Sequence, residues 1–506
     1  MKCFVFSLSA LALAAGLPAL AEPAATAPAK RPNIVYILAD DLGYGEVGCY
    51  GQQKIRTPHI DQLAKEGVRF THAYTGAPVC APSRCVLLTG RELANAAVRG
   101  NRDPNPKEEG QTPLPAGTPT LASQLKAAGY ATAAFGKWGV GSYADSGNPN
   151  TCGFDHFFGY IDQRIAHSFY PTHLWSDGEK VMLDNGPKGI PGHGKLADAS
   201  ADFAQFQGKD HASERVRADL KAWLAARKGK EQPFFLYLPF LEPHLALQPP
   251  QKWVDAYPAA WDTQPYLGGK GYVPHPRPHA AYAGTISYLD EHVGLVLAQL
   301  KELGMQDDTL VIFTSDNGPT HDVGGVDTLF FGSAGPLRGR KGSLHEGGIR
   351  VPFIVRWPGH THAGTQEGAM VAAVDMMATL CEAGGAKTPA TEGVSVLPLF
   401  EGKALPAARP PIAWDFPEYG GQQMIVMENW KLIRTGLQNK QNKITPWQLY
   451  DLAADIGETK DLAAEQPERV KAMTAEFARR RTANPLFPNG SVDGAGKPVK
   501  KGGAGR

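Results

Sequence analysis

Cys80-Ala81-Pro82-Ser83-Arg84 sets a thiol four residues ahead of a guanidinium, and the stretch runs on to Leu88-Thr89-Gly90-Arg91. By residue type alone this reads as a helix start, with Ser83 as N-cap, Pro82 just before it, and Val86 and Leu87 packing inward. A nucleophile at a helix N-terminus faces the positive end of the dipole, where anions bind readily. Far apart in sequence, Asp40-Asp41 and Asp316-Asn317 are oxygen-rich pairs of hard ligands, suited to Ca²⁺ or Mg²⁺ and unsuited to a soft metal. Either pair alone is as often a turn or a helix cap. Three carboxylates and one carbonyl around a divalent ion keep a net charge of about −1, so an anionic substrate has to be drawn in by cations elsewhere.

Those residues sit where strands end. Short apolar runs alternate with helical patterns, the texture of an α/β protein. Asn33–Leu38 stops at Asp40-Asp41, Ala131–Phe135 stops at Lys137, Phe234–Leu238 leads to His244, and Leu310–Thr314 stops at Asp316-Asn317. In open α/β sheets ligands gather beyond the carboxyl ends of strands, so four strands would deliver their polar residues to one rim. Helices are expected over Pro58–Glu66, Leu121–Ala128 and Tyr282–Leu303, each closed by a glycine. The last carries Ile286, Leu289, Val293, Val296, Leu297, Leu300 and Leu303 at helical spacing, a core stripe. After Phe400 the texture changes to Pro-rich loop, short strands around Met424–Met427 and Trp430–Arg434, and a helical pattern from Pro467 to Arg481.

The Cys-x-Pro-x-Arg segment with its Leu-Thr-Gly-Arg continuation resembles the sulfatase family, and the likeness covers roughly residues 31 to 485. That resemblance implies a fold, a chemistry and a set of residue roles. The fold is an alkaline-phosphatase-like α/β sandwich, a large mixed central sheet flanked by helices, with a smaller C-terminal α+β subdomain built on an antiparallel sheet. Cys80 is oxidised to formylglycine by a maturation enzyme acting on the unfolded segment. One hydroxyl of the hydrated aldehyde attacks sulfur; the other later expels sulfate by re-forming the carbonyl. Asp40, Asp41, Asp316 and Asn317, with residue 80, hold one divalent ion, Ca²⁺ ahead of Mg²⁺. Arg84 steadies the hydrate, while Lys137 in Gly136-Lys137-Trp138 and Lys341 in Gly339–Gly348 grip the sulfate oxygens. His244, in Leu241-Glu242-Pro243-His244, protonates the departing alcohol. Many members carry a histidine two residues after the equivalent of Lys137, as the base that releases sulfate; here that position is Gly139. His167, His173 and His345 are candidates for the base, and packing or sugar contact fits them equally; water is the other choice. The aromatic-rich stretch Arg164–Trp175, with Arg164, His167 and His173 as substrate-binding residues, resembles exported bacterial glycan sulfatases acting on galactose or N-acetylgalactosamine 4-sulfate. The rivals are a phosphonate monoester or phosphodiester hydrolase of the same superfamily, and a glycan-binding relative without catalysis, which Gly139 alone favours.

Composition agrees with a pocket enzyme. A chain of 506 residues with net charge +1 and 20% charged residues argues against a nucleic-acid partner or a membrane-surface role. Lys2, the apolar run Phe4–Leu17 and Ala19-Leu20-Ala21 read as a signal peptide over residues 1–21, with a linker at 22–30, a catalytic domain at 31–400, a C-terminal subdomain at 401–488 and a disordered tail at 489–506. The apolar run is too short for a stable membrane span. A periplasmic or secreted protein, handled by signal peptidase and the export machinery, is expected. In that compartment Cys49, Cys85, Cys152 and Cys381 can form two disulfides.

Overall fold

The computed structural model describes residues 31–105, 107–439 and 443–493, with Met1 and Phe4 besides. The expected signal peptide, apart from Met1 and Phe4, and the linker lie outside the described residues.

The first strand is buried on both faces. Ile34, Tyr36 and Leu38 enter one apolar layer while Val35, Ile37 and Ala39 enter the other, so alternation along one strand feeds two cores and places it mid-sheet. In chain order the strands are β1 (Asn33–Ala39), β2 (Val68–Phe70), β3 (Ala73–Tyr74), β4 (Ala131–Lys137), β5 (His156–Tyr160), β6 (His173–Ser176), β7 (Glu179–Met182), β8 (Phe234–Pro239), β9 (Thr309–Ser315), β10 (Phe353–Arg356), β11 (Thr365–Glu367), β12 (Val371–Ala372), β13 (Ile412–Phe416), β14 (Gln422–Met427), β15 (Trp430–Thr435) and β16 (Gln448–Asp451). Ten of them make one mixed sheet in the order β11-β2-β10-β9-β1-β8-β4-β5-β6-β7. β9, β1, β8, β4 and β5 run parallel, with Ile34 opposite both Phe235 and Leu310. Their carboxyl ends therefore open on one rim, as the strand ends in the sequence require. The helix Pro278–Glu302 buries Ile286, Leu289, Val293, Val296 and Leu300 against one face, the expected stripe.

The helix bearing the thiol is Cys80–Thr89, buried at all ten positions. It begins at Cys80, and extended Val79 precedes it. Ser83 is thus one turn inside and not the N-cap; its hydroxyl accepts the Gly76 N–H at 3.2 Å. Pro82 is tolerated there because a first-turn amide has no intrahelical acceptor to lose.

β13–β16 form a separate antiparallel sheet. Ala413, Ile425, Leu432 and Leu449 pack with Met473 and Phe477 of the helix Pro467–Arg480. Trp414, Met424, Val426 and Ile433 join the same apolar layer as the Cys80 helix. The C-terminal sheet is thereby pressed onto the side of the main one that carries the Cys80 helix. The ordered chain runs past the expected end at 488: Asn489 is buried and donates to Asp415 Oδ1 at 2.7 Å, and Gly490–Val492 makes a helical turn. Residues 494–506 lie outside the described residues.

The two disulfides do not form. Cys49, Cys85, Cys152 and Cys381 are free thiols. Cys85, Cys152 and Cys381 pack as small apolar groups in one layer while Cys49 lies against the other, across the sheet. Among the described residues no helix is long and apolar enough to cross a membrane.

Candidate active site

β1 delivers Asp40 and Asp41 to the rim, and β9 delivers Asp316 and Asn317 beside them. Asp41 sits in the left-handed region at φ 70°, and its N–H donates to Asp316 Oδ1 at 3.2 Å. Asn317 Nδ2 donates to Asp41 Oδ1 at 2.8 Å and to the Gly318 carbonyl at 2.9 Å. Its Oδ1 is left buried without a partner. An unmatched buried acceptor costs about 1–3 kcal/mol, and here it adjoins three buried carboxylates. Atoms of Asp40, Asp41, Cys80 and His244 lie within 4.8 Å of one another. The oxygens of Asp40, Asp41, Asp316 and Asn317 are hard donors that fit a divalent cation such as Ca²⁺ or Mg²⁺, while Cys80 and His244 add a sulfur and a ring nitrogen at the edge of the group.

Three buried cations balance the acids. Arg84 bonds Asp40 Oδ2 at 3.0 Å and Asp316 Oδ2 at 2.8 Å, with a further bond to the Lys137 carbonyl. It braces two candidate ligands to the end of β4. Lys137 Nζ meets Asp40 Oδ2 at 2.5 Å, and Lys341 Nζ meets Asp41 Oδ1 at 2.7 Å. Burial alone would raise the Asp40 carboxyl, but Lys137, His244, Arg84 and Lys341 outweigh it and hold it well below the carboxylate range. Asp316 goes the other way, raised to about 6 by burial and by Asp40.

Cys80 Sγ donates to Asp40 Oδ1 at 3.1 Å and lies 3.7 Å from Lys341 Nζ. Burial and the Asp40 carboxylate push this thiol up, so it stays protonated. A protonated, buried thiol is no nucleophile. His244, in the loop after β8, donates Nδ1–H to the Leu245 carbonyl at 2.6 Å and turns Nε2 toward Asp41 Oδ2 at 3.8 Å. Burial, Lys137 and Lys341 lower it to about 4.

The expected substrate-binding residues separate. His167 stacks on His244, centroids 5.4 Å apart and planes at 16°. His173 is held by Glu109 Oε2 at 3.1 Å, which also binds Trp175 Nε1. Arg164 pairs with Asp162 at 2.8 Å and Asp103 at 3.1 Å. Neither His173 nor Arg164 has a described contact with the Asp40–Cys80 cluster. His345 bonds Glu458 Oε1 at 3.0 Å, in the C-terminal part. Gly139 has φ 102°, and a Cβ there would stand 3.1 Å from Gln163 Nε2 and 3.5 Å from Arg84 Cδ. Gln163 occupies the space a side chain at 139 would need. Sequence reading missed His193 and Tyr272, whose rings stack at 4.8 Å beside His167, and Tyr419 and His321, stacked at 5.5 Å next to the Lys341 loop. They come from loops with no periodicity to mark them.

The chain belongs to the sulfatase family: the family model described as Sulfatase matches residues 32–386. A second model, N-sulphoglucosamine sulphohydrolase, C-terminal, matches residues 340–482. The chain is a sulfuric ester hydrolase. Among its relatives, steryl-sulfatase of Mus musculus is 32% identical over 440 residues, 76% of this chain and 67% of that protein. N-acetylgalactosamine-6-O-sulfatase of Bacteroides thetaiotaomicron is 29% identical over 520 residues, 88% of this chain and 92% of that one. The crystal structure of Ps i-CgsB in complex with k-i-k-neocarrahexaose superposes with a TM-score of 0.74 at 26% identity, covering 92% of this chain and 96% of that one. The architecture is the alkaline-phosphatase-like sandwich.

Proposed function

We propose that this sulfatase cleaves sulfate monoesters of carbohydrates, with galactose or N-acetylgalactosamine 4-sulfate as candidate units, using formylglycine made from Cys80. The observation that carries the reading is the placement of Cys80 at the first position of a buried helix, its Sγ 3.1 Å from Asp40 Oδ1 and 3.7 Å from Lys341 Nζ. A thiol so placed cannot attack as it stands; the hydrate of an aldehyde at the same carbon can.

Asp40, Asp41, Asp316 and Asn317, with residue 80, hold Ca²⁺ or Mg²⁺. When bound, the ion polarises sulfate oxygens and lowers the pKa of the attacking hydroxyl. Lys137 and Lys341 contact the sulfate oxygens, and Arg84 keeps Asp40 and Asp316 in place. One hydroxyl of the residue 80 hydrate forms the new O–S bond as the ester O–S bond breaks. His244 acts as an imidazolium: Nδ1 keeps its proton in the bond to the Leu245 carbonyl, and Nε2 takes up a second proton and gives it to the leaving oxygen. Lys137 and Lys341 hold that second proton off in the free site, and the negative sulfate placed against them offsets their charge. The second hydroxyl loses its proton to water, Gly139 offering no base, and re-formation of the carbonyl expels sulfate.

The N-terminal pattern Lys2, Phe4–Leu17, Ala19-Leu20-Ala21 supports export to the periplasm or beyond. Maturation of Cys80 then precedes or accompanies export, since the finished helix buries it.

Two measurements test this. The mass of the peptide spanning Cys80, from a host with the maturation enzyme, should fall by the change from CH₂SH to CHO. Matured protein should release sulfate from a panel of 4- and 6-sulfated galactose and N-acetylgalactosamine. An unconverted thiol in fully active protein overturns the formylglycine reading, and activity confined to 4-nitrophenyl sulfate overturns the carbohydrate one.

A further inference from the structure

The hydrogen bonds around His167 determine where its proton sits. The backbone N–H of Tyr272 donates to His193 Nδ1 at 3.1 Å. An amide nitrogen can only donate, so His193 Nδ1 carries the lone pair and its proton is on Nε2. That Nε2 lies 3.0 Å from His167 Nδ1. One hydrogen joins the two nitrogens, and it belongs to His193. His167 Nδ1 is therefore an acceptor, and the ring's own proton is on Nε2. Nε2 has no hydrogen-bond partner among the described residues, and the ring is stacked on His244 and edged by Tyr272 at 5.3 Å.

We propose that His193 is a positioning residue that locks His167 as an N–H donor to the sugar, aimed at an oxygen on the carbon next to the sulfated one. This rests on the carbohydrate reading above. His244 faces the leaving oxygen, and His167, nearly parallel to it, is placed for the neighbouring oxygen of the same ring. A simple aryl sulfate has no such oxygen. The same tautomer removes His167 from the candidates for the sulfate-releasing base, because the nitrogen it offers already bears a proton. Burial, with His244, Lys137, His193 and Lys341 around it, holds the ring neutral and keeps the donor pattern single.

The loop is built for this contact. Gly192 and Gly194 flank His193, and a Cβ would fall 2.1 Å from the His167 carbonyl oxygen at the first and 2.6 Å from the Phe206 ring at the second. Only glycine lets the strap lie that close.

The test compares wild type with His193→Phe, which keeps a ring but cannot donate, and His193→Gln, which keeps an N–H near the position of Nε2. The measured quantity is the ratio of kcat/KM on galactose 4-sulfate or N-acetylgalactosamine 4-sulfate to that on 4-nitrophenyl sulfate. His193→Phe and His167→Phe should lower the ratio about 10-fold or more, and His193→Gln should restore most of it. Long-range ¹H–¹⁵N spectra of histidine-labelled protein should show His167 as the Nε2–H tautomer in wild type and a mixture in His193→Phe. Equal losses on both substrate types, no rescue by glutamine, or an Nδ1–H tautomer at His167 overturns the proposal. Wild type that turns over 4-nitrophenyl sulfate and no sulfated sugar instead overturns the carbohydrate reading, and the proposal goes with it.

Discussion

Lys341 and Asp41 form a buried ion pair, 2.7 Å from Nζ to Oδ1, which ties the lysine proposed to grip sulfate to an aspartate proposed to hold the cation. Burial opposes the ammonium, but the carboxylates of Asp41 and Asp40 outweigh it and hold its pKa well above the ordinary lysine range. A cation held by Asp41 would take over that neutralisation and leave the ammonium to an anionic substrate. Lys341→Met should therefore cut kcat by about 10²-fold or more, as loss of a transition-state charge does, while calcium affinity holds or improves. Loss of calcium in step with activity, measured by equilibrium dialysis, would show that the lysine supports the metal site and not the sulfate.

Cys80→Ala separates chemistry from folding. The side chain is buried, but it is small, and its removal should cost about 1 kcal/mol or a little more in a thermal melt. Sulfate release should vanish while circular dichroism stays native. Turnover near the wild-type rate would end the formylglycine mechanism.

The unpartnered Asn317 Oδ1 gives the metal assignment its own experiment. Asn317→Ala should weaken calcium about 10-fold or more, with activity recovered by excess calcium. Asp316→Ala should lose metal and activity together, because it also takes one of Arg84's two carboxylates. If chelated wild type works at full rate, neither residue is holding a catalytic ion.

Much of this site was legible before any coordinates. Strands that end in Asp40-Asp41, Lys137 and Asp316-Asn317 announce a rim, because a parallel sheet has to deliver its carboxyl ends together. The paired acids were readable for the same reason: adjacent hard ligands leave a local mark. The helix start was read four residues late, since Ser83 has N-cap chemistry but Pro82 already sits inside the first turn. His193 left no mark at all. Its meaning comes from a hydrogen-bond chain through Tyr272, a residue far along the sequence, and no local pattern encodes a partner at that separation. The disulfide expectation failed because compartment says whether thiols can pair, not where the fold puts them: the sheet stands between Cys49 and the other three.

The C-terminal sheet has a buried hold on the Lys341 loop. Lys431 on β15 bonds Glu346 at 3.0 Å and Glu458 at 2.9 Å, all three fully buried, and Glu346 opens the short helix Glu346–Ile349 just after that loop. Lys431→Met leaves two carboxylates without their ammonium, so denaturant unfolding should lose about 3–5 kcal/mol. A loss below about 1 kcal/mol would mean that Arg350 and His345 compensate the acids by themselves.

His156 gives the fold a pH dependence away from the catalytic rim. Its Nδ1 lies 2.6 Å from Asp177 Oδ2 and its Nε2 2.6 Å from Asp219 Oδ2, so both ring nitrogens face carboxylates and both must carry protons. Burial lowers its pKa, but the bonds to Asp177 and Asp219 outweigh burial and raise it to about 9. The folded state thus binds this proton more tightly than the unfolded chain, whose histidine titrates near about 6.5. The stabilisation is whole below that value, fades as pH climbs toward about 9, and is gone above it. His156→Gln should therefore lower Tm most at about pH 6 and little at about pH 9.5. The same Tm deficit at both pH values would mean that the ring serves by packing against Phe135 rather than as a charge between two acids.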